Sequence, residues 1–172
     1  AWMVSTAEAA PLSGPYDLVV AGVSIHWMDH EVLFPRLCTQ MAEGGVMVIV
    51  GGDEASDPPW AREWPELMRR WVSRMGGTYD RQTFAAEASA HEAWMTITAR
   101  ETIASTVTQS IEAFIDAEHS RGTWTRRKMG PERSAAFDAD LRELLTPHAR
   151  DGFLTYQVRN QLTVAPKPAP SV

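Results

Sequence analysis

The sequence predicts an α/β fold: the C-terminal part of a Rossmann-like doubly wound sheet, with parallel strands, a helical insert and an antiparallel edge strand. Three observations carry this expectation. Two continuous apolar runs, Tyr16–Gly22 and Val46–Val50, flank a helical stretch, making a strand–helix–strand unit of about 35 residues. Uninterrupted apolar strands suit a parallel sheet covered on both faces. The last strong element, residues 154–164, instead alternates apolar and polar side chains, as a half-exposed antiparallel strand does.

Each element follows in order. Residues 4–15 are small, polar and turn-rich and read as a loop. The first strand is Tyr16–Gly22. Residues 30–43 place Leu33 with Leu37, and Phe34 with Cys38 and Met41, at helical spacing. Asp29 is the expected N-cap and Gly44-Gly45 the expected stop, while Pro35 argues for a later helix start. Val46–Val50 is the second strand. Residues 59–75 carry Trp60, Trp64, Leu67, Met68, Trp71, Val72 and Met75 on one stripe, an amphipathic helix stopped by Gly76-Gly77.

A weaker helix is expected at 80–91. A half-buried strand follows, with Met95, Ile97 and Ala99 alternating with polar residues and resuming at 103–107. Ser110 caps a short helix with Glu112 in its first turn. Pro131 opens a helix whose stripe is Phe137, Leu141, Leu144 and Leu145, with Pro147 beyond its end. The closing strand points Leu154, Tyr156, Val158, Leu162 and Val164 one way. The expected organisation is one partial domain over 1–165, with a helical insert or cap at about 54–92, and a disordered Pro-rich tail at 166–172.

Composition removes several function classes. Sixteen Lys+Arg against 22 Asp+Glu give a net charge of −6, and no basic run exceeds Arg126-Arg127-Lys128, so a nucleic-acid partner is not expected. The single cysteine, Cys38, excludes an internal disulfide and a multi-thiolate zinc site, and is most simply a core residue. No apolar stretch is long enough for a membrane span and no signal-peptide order opens the chain, so a cytoplasmic protein is expected.

Four passages resemble the class I S-adenosylmethionine-dependent methyltransferases, in particular the trans-aconitate methyltransferase-like small-molecule group. Thr6–Leu12 resembles the loop D-A-E-x-x-P after that family's third strand. Tyr16–Val20 with Ile25–Asp29 resembles its fourth strand and the following H-W turn. Met41–Val46 resembles the L-x-P-G-G turn before the fifth strand. His119–Trp124 and the closing strand resemble the late helix and final antiparallel strand. The resemblance implies S-adenosylmethionine as cofactor and methyl transfer to a small-molecule, carboxylate-bearing acceptor. It places Thr6, Ala7 and Glu8 in the adenine loop, with the Ala7 N–H directed at the ring. Ala21, Gly22 and Val23 would form the strand end beside the cofactor, and His26 and Trp27 would wall the cavity near its sulfonium. Trp60, Ser120, Arg121 and Trp124 would face the acceptor, Arg121 by pairing a carboxylate. No side chain is assigned as catalytic, since in-line methyl transfer needs no protein nucleophile.

His26-Trp27 also fits an aromatic pair capping a strand, and the Trp60/Trp64/Trp71 stripe fits core packing. The Arg121 face also fits a solvated helix surface. His26 and His30 have zinc-binding spacing but no third ligand, so no metal is expected. Gly22–His26 resembles a nucleophile elbow, but His stands where its last glycine belongs, so a hydrolase is not favoured. Two departures from the family matter. Thr6 replaces its acidic residue, and neither the glycine-rich loop nor the ribose-binding acid has a counterpart. The expectation is a truncated domain lacking the family's first three strands. A non-catalytic remnant pairing through an exposed sheet edge, as a homo-oligomer, is the alternative.

Overall fold

The computed structural model describes residues 3–52, 55–80 and 89–169. Its strands are β1 (Tyr16–Gly22), β2 (Met41–Gly51), β3 (Ala55–Ser56), β4 (Ala99–Ser110) and β5 (Phe153–Pro166). The helices are α1 (His30–Gln40), α2 (Trp64–Arg74), α3 (Ile111–Ser120), α4 (Arg126–Met129) and α5 (Pro131–Leu145). One sheet runs β1-β2-β5-β3, with β4 also pairing with β5. β1 and β2 are parallel, and β5 is antiparallel to β2 and β3. The expected α/β class, parallel strands followed by an antiparallel one, is what forms.

The chain divides into two compact units: residues 3–52, 89–103 and 159–169 in the first, 55–80 and 104–158 in the second. Of the expected insert at 54–92, residues 55–80 lie in the second unit and 89–92 in the first, and 81–88, with most of the helix expected at 80–91, lie outside the described residues. The α2 helix belongs with the second unit, whereas Trp94 packs in the first, stacked on Phe34 at 5.9 Å.

In the first unit α1 lies on one face of the parallel pair. Asp29 caps it, its Oδ1 accepting from the N–H groups of Glu31 at 3.0 Å and Val32 at 3.3 Å. Pro35 sits inside the helix after all, because the cap lets it start at His30 and only the Glu31 carbonyl loses its donor. Leu33, Phe34 and Leu37 are buried with Ala21, Met41, Met47 and Ile49; each such large side chain contributes about 1.5–3 kcal/mol. The helix ends at Gln40, earlier than expected, since Met41 already pairs with Tyr16 in the sheet. Gly44 and Gly45 thus lie within β2 rather than closing α1. A Cβ on Gly45 would come within 3.0 Å of the Tyr16 carbonyl, so only glycine lets the strands approach there.

β1 corrects a second expectation. Val19 and Ala21 face the α1 side, but Leu18 and Val20, on the other face, are each 57% exposed. Among the described residues β1 stands at one end of the strand order and is covered on the α1 face.

The second unit is built on Phe137, Leu141, Leu145 and Leu154, all fully buried, with Trp60, Trp71 and Met129 around them. The stripe of α5 supplies the first three. In β5 the burial phase changes along the strand. Leu154 and Val158 are buried in the second unit, whereas Thr163 and Ala165 are buried in the first, leaving Leu162 and Val164 half-buried. One alternation could not describe both stretches. The strand also runs to Pro166, and the Lys167 N–H donates to the Gly45 carbonyl at 2.9 Å; the rest of the expected tail, 170–172, lies outside the described residues.

Candidate functional site

Ala21, Gly22 and Val23 end β1 at its carboxyl side, where open α/β sheets bind ligands. Ala21 is buried, and a Cβ on Gly22 would meet nothing within 4 Å. Val23 is the unusual residue. It adopts φ +46° although β-branched, and is held there while its N–H donates to the Val50 carbonyl at 2.8 Å. Left-handed backbone at such a residue is strained, on the order of 1–3 kcal/mol, and strain of this kind gathers at functional sites.

A short 3-10 turn, Ile25–Trp27, follows. Ile25 anchors it in the core, His26 is half-buried, and Trp27 is 74% exposed, its ring centroid 4.8 Å from that of His26. The pair is thus not a buried strand cap. His30 points elsewhere, its Nε2 2.9 Å from the Ile25 carbonyl, and no group of three metal-ligating side chains occurs among the described residues.

The loop of Thr6, Ala7 and Glu8 is brought to this turn by α1. Its Thr6 carbonyl accepts from the N–H groups of Ala9 at 3.3 Å and Ala10 at 2.9 Å, closing a tight turn. The Thr6 hydroxyl oxygen accepts from the Ala9 N–H as well, and the hydroxyl also bonds to Glu8, so it is turned onto its own loop. Glu8 Oε1 accepts from the Asp29 N–H at 2.8 Å. That bond, then one from its own N–H, holds the exposed Glu8 carboxyl below its ordinary range. From the second turn of α1, the Arg36 guanidinium donates to the carbonyls of Ala7 (2.7 Å), Glu8 and Ala10. Sequence reading missed Arg36, since only its position seven residues after Asp29, on the same helix face, hints that both could reach one segment.

The remaining candidates lie in the second unit. Trp60 is 1% exposed, edge-on to Phe114 and Tyr156 at 5.4 Å each. Trp124 is 6% exposed and stacks on Phe137 at 5.3 Å. Both rings are core packing, which removes them as surfaces for a ligand in this conformation. Ser120 is exposed and donates to the Ala117 carbonyl. Arg121 is half-exposed, its Nε 3.1 Å from Oε1 of the buried Glu118. Burial pushes the Tyr156 phenol up, and Gln109 donates to its oxygen at 2.6 Å.

No family model matches the sequence. Over 103 residues, 51% of this chain, it is 32% identical to trans-aconitate 2-methyltransferase of Variovorax paradoxus. Over 49 residues it is 43% identical to the enzyme of the same name from Delftia acidovorans. A solved structure from Anaeromyxobacter dehalogenans, assigned as a type II methyltransferase, superposes with a TM-score of 0.65 over 96% of this chain at 17% identity. The chain is similar to part of a class I methyltransferase. It spans 39% and 16% of the two curated relatives and 71% of the solved chain. The methyltransferase likeness at 17% identity establishes the fold, and the parallel β1–β2 pair with antiparallel β5 is its core here.

Proposed function

We propose that the protein acts in S-adenosylmethionine-dependent methyl transfer to a small molecule bearing a carboxylate, with this chain supplying the adenine and sulfonium side of the cofactor site. The observation that carries the reading is the tether of the Thr6–Ala10 turn to the start of α1, the Asp29 N–H donating to Glu8 at 2.8 Å two residues after the exposed Trp27. The residues fit the cofactor: the opening beside Gly22 admits a flat ligand, and Trp27 offers an aromatic face for a cationic sulfur. When bound, S-adenosylmethionine supplies a methyl group on that cationic sulfur for in-line displacement by the acceptor. Ala21, Gly22 and Val23 form the floor. The Ala7 N–H would meet the adenine edge, and His26 and Trp27 would flank the sulfonium. Orientation of this kind accounts for up to roughly 7–11 kcal/mol of the barrier.

The curated relatives are named for trans-aconitate, a carboxylate anion. Within the second unit taken by itself, Arg121, steadied by Glu118, with Ser120 beside it, is the group that would pair a carboxylate. Trp60 and Trp124 support that segment from the core. Equilibrium dialysis of the natural gene product with labelled S-adenosylmethionine tests the reading. Saturable binding that S-adenosylhomocysteine displaces is expected, and its absence refutes the proposal.

Leu18 and Val20 favour a second reading, a non-catalytic module that pairs through the open β1 edge. Sedimentation decides it. Concentration-dependent dimers abolished by Val20→Lys, without cofactor binding, would support this reading, and a monomer that binds cofactor would refute it.

A further inference from the structure

We infer that Arg36 is a positioning residue for the adenine loop: its guanidinium gathers three carbonyls of the 7–10 segment and so fixes the direction of the Ala7 N–H. The inference rests on the cofactor reading above and adds a residue to it.

The geometry is local and complete. A trans peptide sets its C=O and the next N–H pointing in opposite directions. The Thr6 carbonyl is turned into the loop, where it accepts from Ala9 and Ala10. The Ala7 N–H on the same peptide therefore projects out of the turn, away from those donors. What holds the turn in this sense is Arg36, which is half-buried in α1 and donates to Ala7, Glu8 and Ala10 from both terminal nitrogens. A planar, permanently charged fork can address several carbonyls at once, which a lysine ammonium on a flexible stem does poorly. Glu8 adds a second tether to the Asp29 N–H, seven residues before Arg36 and so about two helical turns, roughly 10 Å, away along α1. One anchor takes the Glu8 side chain and the other the backbone carbonyls of Ala7, Glu8 and Ala10, so the loop is held at two kinds of group.

Such an arrangement acts on ligand affinity through the loop, without Arg36 touching the ligand. It also ties the loop to the 25–27 turn, because the same helix starts immediately after that turn. A ligand seated against Ala7 and Trp27 thus meets two segments held by one helix.

The test compares wild type, Arg36→Ala, Arg36→Lys and Glu8→Ala, first by amide hydrogen exchange without ligand, then by calorimetric titration with S-adenosylhomocysteine. In Arg36→Ala, exchange at Ala9 and Ala10 is expected to quicken at least tenfold while Met47 and Ile49 in β2 keep their protection. The dissociation constant is expected to rise about tenfold, with Arg36→Lys recovering only part of either effect. Should Arg36→Ala fail to fold, Glu8→Ala, which cuts an exposed tether, must show the same local quickening near Ala9. Unchanged exchange in the folded variants overturns the inference, as does quickened exchange with unchanged affinity. Failure of wild type to bind S-adenosylhomocysteine overturns the cofactor reading itself, and that result is seen before any variant is compared.

Discussion

Nε2 of His119 lies 2.6 Å from Oδ1 of Asp138, joining the last turn of α3 to the middle of α5 inside the second unit. The other ring nitrogen, Nδ1, lies 2.6 Å from the Trp124 carbonyl, so one imidazole also closes the turn that carries Arg121. Asp138 Oδ2 accepts from Arg126 at 2.9 Å, and Arg126 reaches Asp116 at 3.0 Å. Burial raises the Asp138 carboxyl, but hydrogen bonds from Arg126 and then His119 outweigh it and hold the group below its ordinary value. Because the unfolded chain binds that proton more tightly, the contribution is complete above the ordinary aspartate value of about 3.9. It is lost as the pH falls through the lower folded value. Urea midpoints measured from pH 7 down to pH 2 should fall steeply only in the acid limb. Asp138→Asn should cost about 3 kcal/mol at pH 7, the range for breaking a buried pair, and should flatten that limb.

Phe137 has no exposed surface and stands between Trp71 at 5.2 Å, Trp124 at 5.3 Å and His119 at 5.6 Å. Truncating it to alanine removes a ring that three others share, so Phe137→Ala should cost about 3–5 kcal/mol by urea denaturation. The exposed Arg142–Glu112 pair makes the opposite case. It is bidentate, at 2.7 and 2.8 Å, but solvent screens it, and Glu112→Gln should change stability by less than about 1 kcal/mol.

What could be read beforehand was local. Asp29 and Ser110 announce their caps, and the Phe137–Leu145 stripe announces α5, because each signal lies within a few residues of what it specifies. Exposure of Leu18 and Val20 was not legible, since an apolar run does not say how many faces a sheet covers. Nor was the phase change in β5, where the buried positions pass from Leu154 and Val158 to Thr163 and Ala165 as the strand passes from one unit to the other. In the site, the turn after β1 stood out through Gly22 and His26-Trp27, whereas Arg36 binds carbonyls some 26–29 residues earlier in the chain, a distance no periodicity reports. Core packing of Trp60 was legible in the helical spacing of its stripe, whereas the burial of Trp124 fits neither an acceptor contact nor a solvated face and has no periodic signal.

Val23 offers a test of stored strain. Its side chain is 46% exposed, so little packing is lost on removing it, while glycine adopts φ +46° freely. Val23→Gly should therefore hold or raise stability, by up to about 1 kcal/mol after glycine's greater unfolded-state entropy is counted. If the strain orients the end of β1 for the cofactor, the same variant should bind S-adenosylhomocysteine several-fold more weakly. Thermal melts and calorimetry on one sample would show the two changes running in opposite directions.

With Trp27 beside the sulfonium as proposed, substitution there should separate the cationic from the neutral form of the ligand. An exposed indole beside a sulfonium contributes about 0.5–2 kcal/mol through its face, whereas S-adenosylhomocysteine carries no positive sulfur and gains only contact area. Trp27→Leu keeps an apolar surface but removes the ring. It should weaken S-adenosylmethionine by roughly 2–30-fold, the equivalent of that energy, and S-adenosylhomocysteine distinctly less. Because Trp27 lies 74% open to solvent, the variant should melt within a degree or two of wild type, so a change in affinity cannot be traced to unfolding. Equal losses for both ligands would show that Trp27 serves as contact surface alone, and would remove the sulfonium from its neighbourhood.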